Sequence, residues 1–286
     1  MQYPEIPPLV NNDASQKLFS ENFSRKPFVF NHNLHCHDLL SIPALQRLAD
    51  SMSKGGRPRG YLMLPEQPQG LRWGSPEFQK ALKEAFGNIE VSKMRMKLSS
   101  IHTEPGYGEL LSRCARELSD VTGVVNFSRR YRDPLATLFI ASPNEITYFF
   151  DSEVNLLLQI HGTKTIYIFD GNDRELLEWR EIEEYWHGHG NIKLREGFQS
   201  RAMRFDLHPG MGVHNPVHFP HWVQNGPYPS VALSLGFPQV DDPVDVRTSI
   251  TFSAKSEWHR RPPAKTNVLT APRSRWSPAP VRCGEC

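Results

Sequence analysis

Apolar residues recur at helical spacing through the first half of the chain and at strand spacing through the second. "SQKLFSENF", "SIPALQRLADSM", "SPEFQKALKEAF" and "GYGELLSRCARELSDV" each carry one apolar face over about three turns, which predicts amphipathic helices. In the second of these Ser41 is placed to cap and Pro43 sits in the first turn. In the last, Leu110, Leu111, Cys114, Leu118 and Val121 form one stripe, so Cys114 reads as a core residue. Between the first two helices "PFVF" reads as a short strand, and the Gly- and Pro-rich stretch from Gly55 to Gly74 as loop with brief strands. From Leu135 short strands follow one another: "ATLFIA", "ITYFF", "VNLLLQI", "KTIYIFD", then "MRFDL", "HWVQN" and "SVALSLGF". A charged amphipathic insertion, "NDRELLEWREIEEYW", interrupts them and is expected across one end of the sheets. Many short strands preceded by helices predict a mainly β sandwich or barrel with a helical annex.

Composition narrows this picture modestly. The 286 residues are enough for a sizeable core, and 38% hydrophobic with 22% charged residues is ordinary for a globular chain. A formal charge of +2 gives no argument for nucleic acid or a membrane surface. No apolar run reaches the roughly 18 residues of a membrane span, and the start lacks the regions of a signal peptide, so a cytoplasmic protein is expected. Cys36, Cys114, Cys283 and Cys286 are too few and too unevenly spaced for a disulfide framework. The charge turns basic from Lys255 onward, with seven Lys or Arg against Glu257 and Glu285 and five prolines, which predicts an extended tail. "HNLHCHD" (His32, His35, Cys36, His37 and Asp38) and the terminal "CGEC" have metal-site composition without a recurrent ligand spacing.

One constellation carries chemistry. Residues two apart on a strand share a face, so His-x-Asp plus a histidine from a facing strand makes the two-His, one-carboxylate triad of non-haem Fe(II) oxygenases. Asp151 and His221 suit two of these places. The third holds Phe149, which has no lone pair to give.

Around these residues, "FFDSEVNLLLQIHGTKTIYIFD" and "LHPGMGVHNPVHFPHWVQNGPYPSVALSLGF" resemble the cupin-like branch of the JmjC superfamily of Fe(II)- and 2-oxoglutarate-dependent hydroxylases. Asp151, Asn155, Gln159, Gly162, Lys164, Pro209, Gly210, Pro216, His221, Trp222 and Val223 match its pattern, and "FSRKPFVFNHNLHCHDLLSIPALQRLA" resembles its opening. The resemblance spans residues 15 to 240. It implies a double-stranded β-helix (jelly-roll, cupin) core at 135–240, a helical insertion at 172–190, an α-rich region at 1–134 packed on the barrel, and a basic extension at 241–286.

The resemblance also implies Fe(II) on Asp151 and His221, and 2-oxoglutarate on Lys164 with Asn155 and Thr147, although the segment around Thr147 is one residue short of the pattern. Glu153, His214, His218, Trp222 and Asn225 are auxiliary candidates, and Glu153, His214 or His218 could replace the lost ligand. Two readings stand open at this stage. One is a protein with a degenerate metal site and a retained pocket for a small molecule or peptide; the other is an active hydroxylase with a substitute ligand. A small-molecule or protein substrate, with a homodimer allowed, is the expected partner set; nucleic acid and membrane are not.

Overall fold

Two antiparallel sheets face each other in the computed structural model, which describes residues 6–55, 58–67, 70–132, 134–143, 146–151, 153–186 and 197–240, with 146–149 described by backbone. The expected tail features, including "CGEC", and the end of the insertion lie outside these residues. The helices are α1 (Asp13–Asn22), α2 (Ile42–Lys54), α3 (Pro76–Gly87), α4 (Tyr107–Val121), α5 (Phe127–Arg130) and α6 (Trp179–Trp186). The strands are β1 (Phe28–Asn31), β2 (Gly60–Met63), β3 (Arg95–Ser99), β4 (Leu135–Ala141), β5 (Ile146–Phe149), β6 (Val154–His161), β7 (Lys164–Ile168), β8 (Met203–Leu207), β9 (Met211–Asn215), β10 (His221–Asn225) and β11 (Ser230–Phe237). They make a seven-stranded sheet in the order β1-β9-β6-β11-β4-β3-β2 and a four-stranded sheet β5-β10-β7-β8. This is the double-stranded β-helix.

Period-two alternation sorts the larger sheet into two faces. Val154, Leu156, Leu158 and Ile160 on β6, with Val231, Leu233, Leu235 and Phe237 on β11, pack outward against the helices in the main core. Cys114 is buried in that core with the rest of its stripe, and burial pushes its thiol up to about 12. The opposite face looks into the barrel, where Leu157 and Val213 meet Ile166, Ile168 and Val223 of the smaller sheet. A third cluster, Phe150, Phe169, Leu176, Leu177 and Ile182, closes one end of the smaller sheet beneath α6.

Local signals set the helix ends. Asn12 caps α1 by accepting from the Ser15 amide at 2.8 Å, and Ser75 caps α3, where Pro76 costs no hydrogen bond. Ser41 stands at the N-cap of α2, but its hydroxyl donates back to the Asp38 carbonyl instead of capping. Gly162 turns β6 into β7 at φ +67°, where a Cβ would lie 2.3 Å from the Pro229 carbonyl oxygen; only glycine fits, and it fixes Lys164 as the first residue of β7. The insertion is helical only over Trp179–Trp186, since Leu176 and Leu177 are drawn down into the end cluster ahead of the helix.

Candidate functional site

The barrel interior is polar where its strands carry no aliphatic residue. On β10, His221, Val223 and Asn225 are buried on one face, and on the neighbouring β7 Ile168, Ile166 and Lys164 stand beside them on the same face. From the larger sheet come Asn155, Gln159, Ser230 and Ser234, all buried.

Asp151 and His221 lie next to each other. Asp151 follows β5, its carbonyl accepts from the His218 amide at 3.2 Å, and its carboxylate Oδ2 lies 3.7 Å from His221 Nε2. His221 Nδ1 sits 3.1 Å from both the Phe219 carbonyl oxygen and the Asn215 side-chain amide nitrogen, which together hold the ring with Nε2 turned toward Asp151. Burial lowers the imidazole to about 4, which keeps it neutral. Burial also raises the Asp151 carboxyl, while the Lys97 charge and an Asn155 hydrogen bond pull it back down. Asn155 is itself fixed by Ser234, 2.8 Å away across the barrel wall.

A metal would find two ligands here and not three. Ligands about 2.1 Å from one ion and at right angles lie about 3 Å apart, so the Asp151–His221 pair is within side-chain adjustment of chelating geometry. The register of β5 and β10 pairs Phe149 directly with His221, so position 149 shares the inner face where the third ligand belongs. No group of three His, Cys, Asp or Glu residues among those described could hold a metal ion. The described residues therefore do not fit a facial triad.

The opposite end of the interior is different in character. Lys164 is buried, its Nζ donates to Asn225 Oδ1 at 2.7 Å, and burial alone lowers its ammonium to about 8. Among the described residues no carboxylate balances it. A cavity of about 440 Å³ opens at this end of the smaller sheet, with Lys164, His208, Asn225 and the exposed Asp206 in its lining; the Asp206 carboxylate accepts from Thr165 and Arg204. By register Thr147 stands opposite Val223, on the inner face between the levels of His221 and Asn225.

Several auxiliary candidates take other places. His214 is corrected: it alternates with Val213 and Asn215, and its ring lies outside the barrel, stacked on Phe28. Its Nδ1 donates to the Lys26 carbonyl at 2.9 Å and its Nε2 accepts from the Ser24 amide at 3.0 Å, so it has no nitrogen to lend a metal. Trp222 is likewise on the outer face, stacked on Tyr167 with centroids 4.1 Å apart. His218 stacks on Phe150 next to the end cluster. Glu153 does face the site: it leans over Gly236, where a Cβ would come within 2.7 Å of its Cγ, and its charge acts on His221. In "HNLHCHD", His35 Nε2 touches Cys36 Sγ at 3.2 Å and His32 is buried, but these residues form no three-ligand group.

The residue that sequence reasoning passed over is Lys97. It lies on β3, which the pattern did not flag, and its charge acts on both Asp151 and Glu153. The signal was present: Met94, Met96 and Leu98 alternate with Lys93, Arg95, Lys97 and Ser99.

A scan against family profiles finds no match, and a search of curated proteins finds none. Solved structures do match, and they share the fold of this chain. An X-ray structure of E. coli YcfD superposes with a TM-score of 0.54 at 14% identity, covering 94% of this chain and 65% of that one. YcfD described as a ribosomal oxygenase in complex with cobalt and 2-oxoglutarate gives 0.51 at 14%, covering 94% and 63%. Its complex with cobalt and succinic acid gives 0.52 at 14%, with the same coverage. This chain thus spans a little under two thirds of the length of those proteins.

Proposed function

We propose that this chain is a JmjC-like barrel protein that keeps the carboxylate-binding end of the interior and has lost the three-ligand metal centre, so that it binds a small carboxylic acid of the 2-oxoglutarate class, or a peptide bearing a carboxylate, without oxidising it. The observation that carries this reading is Lys164, a buried ammonium that has, among the described residues, one amide partner and no balancing anion. Leaving a charge so placed is costly, and a ligand carboxylate supplies both the counter-charge and further hydrogen bonds. Asn225 orients the ammonium, and Asn155 and Thr147 are the further candidates to meet the acid. Among the described residues no helix is long and apolar enough to cross a membrane.

The test is calorimetry of 2-oxoglutarate binding in the presence of a chelator. Wild type is expected to bind, and Lys164→Met to lose at least about tenfold in affinity, as for other charge-assisted contacts. No metal-independent binding by wild type would refute the proposal.

A second reading, an active Fe(II)- and 2-oxoglutarate-dependent hydroxylase with a substitute ligand, has one observation behind it: Glu153 lies near enough to His221 for its charge to be felt there. Stoichiometric iron in protein purified without chelators, with succinate formed at about 1 per second or more, would decide for it.

A further inference from the structure

We propose that His32 and His35 form a two-coordinate site for a soft monovalent metal ion of the Cu(I) class, on the helix side of the larger sheet and apart from the barrel interior.

The turn that leaves β1 builds the site. Phe28 and Phe30 lie in the main core, and two residues further on His32 keeps the same side, its ring centre 6.5 Å from that of Phe30. The His32 amide donates to the Gly210 carbonyl at 2.7 Å, which ties this turn to the loop between β8 and β9. A single 3-10 turn, Leu34–Cys36, then brings His35 back over Gly210. A Cβ on Gly210 would fall 3.0 Å from His35 Nδ1 and 2.9 Å from its Cε1, and φ is +87° there, so the position calls for glycine twice over. With no side chain in the way, His35 settles beside His32 with ring centres 5.9 Å apart.

Unused nitrogen marks the pair as a ligand site. His32 is 1% exposed, and no partner stands within hydrogen-bond geometry of either ring nitrogen; His35 Nδ1 is buried without a partner as well. A buried polar atom left so is costly. Burial and the neighbouring His35 lower His32 to about 4, so its ring is neutral. A neutral imidazole carries one N–H and one lone pair, and the N–H that the Met211 and Gln159 backbone favours leaves the lone pair unmet. His35 has a place for its own N–H, because Nε2 is 3.2 Å from Cys36 Sγ, and metal-bound histidines fix their free nitrogen in this way. Two imidazoles bound at about 2 Å on opposite sides of one ion have ring centres about 6 Å apart, which is the spacing here. The 70° between the ring planes is compatible with this, since each ring can turn about the line to the ion.

Ligand count and charge choose the metal. Among the described residues no three His, Cys, Asp or Glu gather here, so a divalent ion that needs four ligands is poorly served. Two neutral, polarisable donors without a carboxylate suit an ion of single charge.

The test is anaerobic Cu(I) titration of the full chain against a competing chelator, with X-ray absorption of the one-to-one complex. Cys36, Cys283 and Cys286 are first replaced by Ser, because thiols also bind soft metals; Cys114 stays, buried in the core. One Cu(I) per chain with two nitrogen neighbours is expected. In the same background His35→Gln, a half-buried position that should fold, is expected to lose at least about 100-fold in affinity, the upper end of what even surrounding groups contribute. His32→Gln should match it. No Cu(I) taken from the chelator by the parent, a sulfur neighbour in its spectrum, or unchanged affinity in folded His35→Gln each overturns the proposal. The parent spectrum decides the matter without any histidine variant should His32→Gln fail to fold.

Discussion

Buried ionisable residues in this barrel differ in whether a partner of opposite charge is present, and that difference separates its two ends. At the end closed by the Phe150 cluster, burial raises the Asp151 carboxyl while Lys97 and Asn155 favour its charged form. At the far end, the Asn225 amide is the hydrogen-bond partner of Lys164 among the described residues. Its ammonium is lowered to about 8 because burial penalises the charge, so it is protonated at neutral pH but loses its proton within the accessible range. We expect affinity for 2-oxoglutarate to be level below pH 8 and to fall about tenfold per pH unit above it, until a bound carboxylate no longer repays protonation. The sign follows from the site's need for the cation. Lys164→Arg, which stays charged throughout, should flatten this dependence if it binds at all. An affinity that rises from pH 8 to 9.5 would exclude Lys164 as the anchor.

At the level of elements, period-two alternation was legible wherever one face was continuously aliphatic, as on β6 and β11. It was not legible on β3 and β9. β3 alternates Arg, Met, Lys, Leu and Ser, so its polar half looks like solvent-facing surface although it turns into the barrel. β9 reads "MGVHN", in which a glycine and two polar residues mask a strand whose His214 is buried against the N-terminal segment and whose Asn215 is buried inside. In both strands buried polar groups broke the rule that polar means outward, and this is where the site and its supports lie. Turn chemistry was more informative. We predict that Gly162→Ala destabilises the fold by at least about 1–3 kcal/mol, from a non-glycine residue held at positive φ together with the clash on the Pro229 carbonyl. Gly87→Ala, at a helix end where an added Cβ meets nothing within 4 Å, is the neutral control. Urea unfolding of the two variants beside wild type measures the contrast, and equal midpoints would contradict it.

For the molecule as a whole, the order of segments and the pairing of Asp151 with His221 could be read from residue types at fixed spacings, because those places have few chemically acceptable substitutes. What surrounds them could not, since partners such as Lys97 come from strands about 50 residues away in sequence and only folding brings them near. The same holds for the histidines, which cluster in "HNLHCHD" with metal-site composition but no ligand spacing, and of which His214 and His218 were candidates to replace the lost ligand. The folded chain instead buries His32, His214 and His218 as neutral rings, lowered by burial to about 4, 3 and 4. Each such group binds a proton in the unfolded chain near pH 6.5 but resists one in the folded state, so the unfolded state gains protons as pH falls through the window from about 6.5 to 4. Stability should therefore decline over that window and steepen with the number of buried imidazoles. His214 offers a clean probe: its ring bridges the Ser24 amide and the Lys26 carbonyl far from the candidate site. His214→Gln cannot titrate, so it should lower stability at neutral pH through imperfect replacement of those bonds, yet weaken the acid dependence by about one proton. Chemical denaturation of both proteins at pH 7.5 and pH 5 tests this: if the two lose the same stability between those values, His214 is not neutral in the fold, and the account of the buried histidines fails with it.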